Sequence, residues 1–204
     1  MNSTMLLIDL IKLGEMKMDE NTKIYIKVSD GGRVPVSASE HSAGYDLFAT
    51  ADMTIQPGET KIMPMNFVMA LQPDVEAQVR PRSGMSLKTS LRISNSPGTI
   101  DSDYRDMVSI IVENTFNPYN LALRAHYDEE LCKSLFHDYK HFESLGQKIF
   151  IDKNGYPYGT IYINKGDRIA QMVFAKHLRA EFEHTERPED IGHNRGGGFG
   201  HTGK

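Results

Sequence analysis

Short alternating runs joined by turn residues predict an all-β chain of barrel or jelly-roll-like architecture. Three observations carry that prediction. Apolar residues recur with period two in several short segments. Gly, Pro and Asn punctuate the chain between them. Helical spacing is confined to the leading residues and one central stretch.

Taken in order, Leu6, Leu7, Leu10 and Leu13 fall at roughly helical spacing, and residues 1–20 read as an N-terminal extension. From Lys23 the period changes. Ile24, Ile26 and Val28 alternate with Lys23, Tyr25 and Lys27, which predicts a strand. Further β-like runs follow at 60–71, 75–80, 107–113, 160–163 and 168–174. Gln56-Pro57-Gly58, Gln72-Pro73-Asp74 and Asn95-Ser96-Pro97-Gly98 supply turns between them. Residues 117–158 break the rhythm. Leu131, Leu135, Tyr139, Phe142 and Leu145 have helical spacing, with Asp128 as N-cap and Gly146 past the C-terminus, predicting a helix near 128–145. Asn154-Gly155 predicts a hairpin between 147–152 and 156–163. The expected organisation is an extension at 1–20, a β core at 21–116 and 159–191, an inserted helix and hairpin at 117–158, and a glycine-rich arm at 192–204.

The chain has 204 residues, 39% of them hydrophobic and 25% charged, as in an ordinary globular protein. A net charge of −4 argues against broad binding to nucleic acid, so a phosphate ligand must be held by local donors. The single cysteine, Cys132, excludes an intrachain disulfide and fits a reducing compartment. The most apolar stretch, 5–13, is interrupted by Asp9 and Lys12 and makes a poor signal peptide or span. A cytoplasmic protein is expected.

Five segments carry chemistry. The last ten residues, from Arg195 to Lys204, include five glycines around Phe199. Backbone N–H groups, an Arg and the Thr202 hydroxyl suit a polyphosphate, and the Phe suits a planar base. In Gly98-Thr99-Ile100-Asp101-Ser102-Asp103-Tyr104-Arg105, Asp101 falls where a turn meets a strand, placed to orient and deprotonate a water. Capping a turn is the commonest use of such an Asp. Arg82, Ser83 and Gly84 offer a guanidinium, a hydroxyl and a glycine N–H in succession, a phosphate grip or else a surface turn. Gln171, in Gly166-Asp167-Arg168-Ile169-Ala170-Gln171, can donate to a phosphate. Asp46, in Ala43-Gly44-Tyr45-Asp46-Leu47, suits a structural role or a place near a metal ion.

Read together, these five segments resemble the five motifs of the homotrimeric dUTP pyrophosphatases, the dUTPases. They fall in the family's order, and nineteen positions separate Arg82 from Asp101, the family's interval. The resemblance implies a jelly-roll-like β-clip fold, a homotrimer, and hydrolysis of dUTP to dUMP and diphosphate. That reaction limits uracil incorporation into DNA and supplies dUMP for thymidylate synthesis. The turn containing Asn95, Thr99 and Ile100 would receive the uracil and deoxyribose. Tyr104 would exclude a 2′-hydroxyl, and Asp101 would position the attacking water. Arg82, Ser83, Gly84 and Gln171 would hold phosphates, with Ser109 a further substrate contact. Arg195, Gly200, His201 and Thr202 would close on the γ-phosphate, and Phe199 would stack on the base. Mg²⁺ would be bound by the triphosphate, with Asp46 acting through water.

The chain departs from the family pattern in three places. Arg195 and Phe199 are four apart where many members have five. Asp106 stands where a glycine commonly follows Tyr-Arg. Residues 117–158 lengthen one link; some bacteriophage members carry an insertion there, and it could bind a protein partner. The related dCTP deaminases would need a Glu where Ile111 stands, although Glu113 lies on the same face. His137 and His141, four apart on the expected helix, have a zinc-compatible spacing but no third ligand.

Overall fold

A computed structural model of the chain describes residues 22–144 and 147–193. The expected extension at 1–20, Gly146 and the arm from 194 onward lie outside the described residues. Fourteen strands dominate what is described. β1 (Tyr25–Val28) pairs with β6 (Phe67–Ala70). β4 (Met53–Ile55) pairs with β13 (Ile161–Ile163). A three-stranded sheet has the order β5 (Thr60–Pro64), β10 (Ser109–Asn114), β8 (Leu91–Ile93). The largest sheet runs β2 (Val36–Ser37), β3 (Gly44–Phe48), β14 (Arg168–Lys176), β7 (Val75–Arg80), β9 (Gly98–Ile100). Within each of these pairings the strands are antiparallel.

One buried cluster joins these sheets. β7 alternates, turning Val75, Ala77 and Val79 inward, and β10 does the same with Ile110 and Val112. Leu47 and Met172 from the large sheet meet Met63, Leu91 and Phe67 from the others in the same core. This two-faced alternation is the sandwich expected from period two, and the jelly-roll-like prediction stands.

Elsewhere the structure corrects the sequence reading. The run at 60–71 is not one strand. Asn66 takes a positive φ of 54° and splits it into β5 and β6, which join different sheets. Asn tolerates that backbone better than most residues. Its Nδ2 donates to the Asp30 carbonyl and its own carbonyl accepts from the Ser29 N–H, fixing the break.

Residues 117–158 form two helices and a hairpin rather than one long helix. α1 (Ser83–Lys88) precedes them, and α2 (Pro118–Tyr127) was not anticipated although Asn117 and Pro118 announce it. The Asn117 Oδ1 accepts from the Tyr119 N–H at 2.9 Å. Asp128 is the expected N-cap, accepting from the Leu131 N–H at 2.9 Å, and opens α3 (Glu129–Asp138). α3 stops at Tyr139, well short of 145, because the chain then becomes β11 (Lys140–Ser144), paired with β12 (Gln147–Ile151). The fold-back packs Phe136 edge-on to His141 and Phe150, contacts between residues distant in sequence that helical spacing cannot register. β12 therefore pairs backward to β11, not forward across Asn154-Gly155, where only an Ile151–Pro157 bridge forms. The turn itself exists. Asp152 accepts from the Asn154 and Tyr156 N–H groups, and Gly155 takes φ 84°. Burial opposes the charge on Asp152, but the Tyr162 hydroxyl and these N–H groups outweigh it and hold the carboxyl below the usual range.

Asn114 roots this whole segment. It is fully buried, and its side chain makes four hydrogen bonds. Nδ2 donates to the Ile55 and Gly159 carbonyls; Oδ1 accepts from the Ser90 hydroxyl and the Phe116 N–H. The chain leaving the core at Phe116 and returning at Gly159 is thereby held by one residue. Gly159 has φ 89°, and a Cβ there would meet the Phe116 ring at 2.3 Å, so glycine is required. Among the described residues no helix is long and apolar enough to cross a membrane, and Cys132 is free and half-buried.

Candidate active site

Strand register brings three of the five segments together. On β14, Gln171 lies opposite Asp46 on β3 and opposite Arg80 on β7. Arg80 leads through Pro81 to Arg82, so the acid, the amide and the cation converge across the three central strands of the large sheet, where β7 ends. Asp46 is the hub. Its Oδ1 accepts from Arg82 Nε at 2.8 Å and its Oδ2 from Arg168 at 3.2 Å, and its side chain is only 14% exposed. A carboxylate this buried is tolerable because two guanidinium groups satisfy it. Arg82 also donates to the Arg168 carbonyl at 3.2 Å, and Gln171 Nε2 donates to the Pro81 carbonyl at 2.9 Å. Gly44 makes room for this arrangement, since a Cβ there would stand 2.3 Å from Gln171 Oε1.

Gly44, Asp46, Arg82 and Gln171 line a cleft of about 430 Å³ together with Ser42, Ser83 and Gly84, and Arg168 braces it through Asp46. Arg82 is the N-cap of α1, and no side chain caps that helix. Its first N–H groups therefore have no intrahelical partner. A Cβ on Gly84 would meet nothing within 4 Å, so internal packing does not demand that glycine. The Arg82-Ser83-Gly84 grip expected from sequence is thus a helix start rather than a plain turn. Arg168 was not singled out from sequence, although it lies inside a recognised segment.

A second cluster sits elsewhere. β8 and β9 flank the turn at 94–97, where Asn95 is exposed and packs against Gly98; a Cβ on that glycine would lie 3.0 Å from Asn95 Nδ2. Thr99 is exposed and Ile100 half-buried on β9. Asp101 follows directly, exposed, at the end of a strand rather than at the start of one. Its carbonyl accepts from the Tyr104 N–H at 3.2 Å. The Tyr104 hydroxyl donates to the Met107 carbonyl at 3.0 Å, which fixes the ring, and Arg105 folds back on the Ser102 and Tyr104 carbonyls. Tyr104 is thus a turn residue, not a strand residue. Ser109 is exposed at the start of β10.

The two clusters do not meet within one chain. β9 pairs antiparallel with β7, with Ile100 opposite Ala77 and Gly98 opposite Val79. Continuing that register puts Asp101 beside Glu76, while Arg82 lies beyond the other end of β7. At about 3.3 Å per residue the separation along the strand is roughly 20 Å.

Other candidates resolve plainly. Glu113 accepts from the Ser94 hydroxyl at 3.0 Å, which gives it a structural partner. His137 lies on α3 but His141 on β11, so they do not share a helix face. Arg195, Phe199, Gly200, His201 and Thr202 lie outside the described residues. No group of three or more His, Cys, Asp or Glu side chains could hold a metal ion among the described residues. Asp46 is the one carboxylate lining the cleft, so a Mg²⁺ ion there would draw its other oxygen ligands from phosphate or water.

An antiparallel β sandwich that presents a clamped arginine and an uncapped helix start at one end of its central strands offers groups whose chemistry suits a phosphate. Comparison with known proteins is more specific. The dUTPase family profile matches residues 30–148 and 156–203. Deoxyuridine 5'-triphosphate nucleotidohydrolase of Rickettsia bellii is 34% identical over 186 residues, covering 89% of this chain and 96% of the relative. The dUTPase variant of Staphylococcus bacteriophage 80alpha with dUpNHpp has a TM-score of 0.67 at 25% identity, covering 89% of this chain and 99% of that one. A dUTPase variant of phage phi11 of S. aureus, described with a structural Mg(II) ion, has a TM-score of 0.62 at 23% identity, covering 82% and 99%. The chain belongs to the dUTPase family.

Proposed function

We propose that this chain hydrolyses dUTP to dUMP and diphosphate. The clamped arginine cleft carries the reading: Asp46, Arg82, Arg168 and Gln171 hold one another in place before any ligand arrives, so little reorganisation is needed when a triphosphate binds. Arg82, with Ser83, Gly84 and the first N–H groups of α1, grips the phosphates. Asp101 orients a water and accepts its proton as the oxygen attacks the α-phosphorus. The bond from that phosphorus to the bridging oxygen breaks, and diphosphate leaves. Mg²⁺ bound to the triphosphate would offset negative charge on its oxygens. Asp46, expected to act on that ion through water, instead serves chiefly to aim Arg82. Tyr104, pinned by its hydroxyl, presents its ring to the deoxyribose, while Asn95, Thr99, Ile100 and Ser109 frame the nucleoside. Arg195, Phe199, Gly200, His201 and Thr202 close over it and exclude water.

The chain works as a homotrimer in this reading. The separation of Asp101 from Arg82 along β7 supports a site shared between copies, because one triphosphate cannot span both within a chain. Leu178 and Phe182 support it too. They are 96% and 97% exposed in a segment without regular structure, and burial against another copy would remove apolar surface from water. A single cysteine suits a reducing, cytoplasmic setting. The test is diphosphate release from dUTP, dTTP, dCTP and UTP. Turnover of dUTP well above the rest is expected; ammonia from dCTP with no dUTP turnover would overturn the reading.

Residues 117–158 are a peripheral insertion in the same proposal. Tyr119 and Tyr127 on α2 are 61% and 81% exposed, which favours a protein partner for that face as a second role. Pull-down with and without the segment checks it.

A further inference from the structure

The root of the 117–158 segment forms a groove of about 540 Å³ against the core. Its charge is one-sided. Lys88, Arg92 and Arg124 line it, and no Asp or Glu does. None of the three forms an ion pair among the described residues, in a chain whose net charge is −4. The acid nearest by register, Glu113 opposite Arg92 on β10, accepts from the Ser94 hydroxyl and does not line the groove, so an anion entering it meets three cations and no carboxylate. The groove is also preset. Arg92 donates from one terminal nitrogen to the Thr89 and Leu91 carbonyls at 2.9 and 2.8 Å, which fixes the guanidinium plane. The floor is held by the Asn114 hydrogen bonds and by Phe116 against Tyr158, ring centroids 5.7 Å apart. Ser90 and Thr115 share the lining, their hydroxyls already donating to Asn114 Oδ1 and to the Ser90 carbonyl, which stiffens the floor further.

We infer that this groove is a second anion site, separate from the cleft at Asp46, and takes a diphosphate group. Two cations come from the core and one, Arg124, from α2, so a bound diphosphate bridges the core and the insertion. Guanidinium forks match paired phosphate oxygens, and each charge-assisted contact strengthens away from bulk water. The bridge ties a segment that otherwise meets the core at its root, and gives it a state that depends on anion concentration.

The probe is inorganic diphosphate, titrated calorimetrically into the full chain at low ionic strength. Two classes of site are expected. Arg124→Gln, an exposed side chain with no bond to lose, should weaken one class about tenfold, the usual loss for one charged hydrogen bond. Lys88→Gln should weaken the same class, and Arg82→Gln should weaken only the other. Arg92→Gln is the severe variant, and thermal melting checks that it folds. ADP in place of inorganic diphosphate separates nucleotide-borne from free diphosphate, and whichever is held must weaken with Arg124→Gln. Amide exchange in Pro118–Tyr127 should slow when the site fills. One binding class lost entirely with Arg82→Gln, binding indifferent to Arg124→Gln and Lys88→Gln, or filling that leaves exchange in α2 unchanged would each overturn the inference.

Discussion

The cleft around Asp46 and the turn carrying Asp101 lie near opposite ends of β7, and they are built differently. The cleft is a closed lattice: two arginines share one nearly buried carboxylate, and Gln171 is tied to the Pro81 carbonyl. The turn is open. Asp101, Asp103 and Tyr104 are exposed, held by short-range bonds to neighbouring carbonyls. A phosphate grip benefits from rigidity, because prealigned dipoles need not reorganise. In the proposed reaction, the group that meets a water and the nucleoside has to remain accessible. The comparison predicts that damage to the turn removes chemistry, whereas damage to the cleft removes binding as well.

Asp101→Asn tests that division most sharply. Amide for carboxylate keeps the shape and removes the basicity, so kcat should fall by about 10²–10⁴. Affinity for dUpNHpp should change little, since a carboxylate near a triphosphate repels it. Asp103→Asn is the control on the same turn. Lost turnover with Asp103→Asn and normal turnover with Asp101→Asn would move the base to Asp103.

Truncation after Ile191 should slow turnover by about 10²–10³ or more, given the usual worth of one oxyanion-type donor. The shortened chain should still trimerise and bind nucleotide at the cleft. Full activity would remove the arm from the site.

On the cleft side, Asp46→Asn keeps one acceptor but leaves two guanidinium groups without their shared charge. Hydrogen bonds to charged groups are worth about 1.5–3 kcal/mol, so binding of dUpNHpp should weaken by roughly 10–100-fold. The kcat should fall less than KM rises. The opposite split, with kcat alone affected, would make Asp46 part of the chemistry and blur the comparison.

Tyr104→Ala changes a ratio more than a rate. Losing the pinned ring should narrow the gap in kcat/KM between dUTP and UTP. An unchanged ratio in a folded variant would leave sugar discrimination to another residue.

The smallest effect belongs to the insertion. Replacing 117–158 by a short turn while keeping Asn114 and Gly159 should leave dUTP turnover within a few-fold, measured as diphosphate release. Loss of assembly or activity in a folded deletion would mean the segment supports the site.

Much of the molecule was legible in its sequence because its signals are local. Period two marked β1, β7, β10 and β14, since alternation reports a sheet with one face in the core. Asp128 was readable as a cap because capping involves residues three apart. The motif segments were readable by order and spacing, a resemblance rather than a derivation. Helical spacing failed at 139–145, where the chain folds back and Phe136 meets Phe150 instead of continuing its turn. The single β run expected over 60–71 failed at Asn66, where one residue with positive φ sends the chain into two sheets.

The sequence by itself determined the β architecture and, through the order of its motif segments, the family. Composition, periodicity and caps act over a few residues, and all of these are written locally. Only the tertiary structure decided which residues act together. That Asp46 clamps both Arg82 and Arg168, that Asn114 joins the two ends of the 117–158 segment, and that Asp101 stands far from Arg82 in one chain all follow from strand register. Register is set by which faces bury together across the whole core.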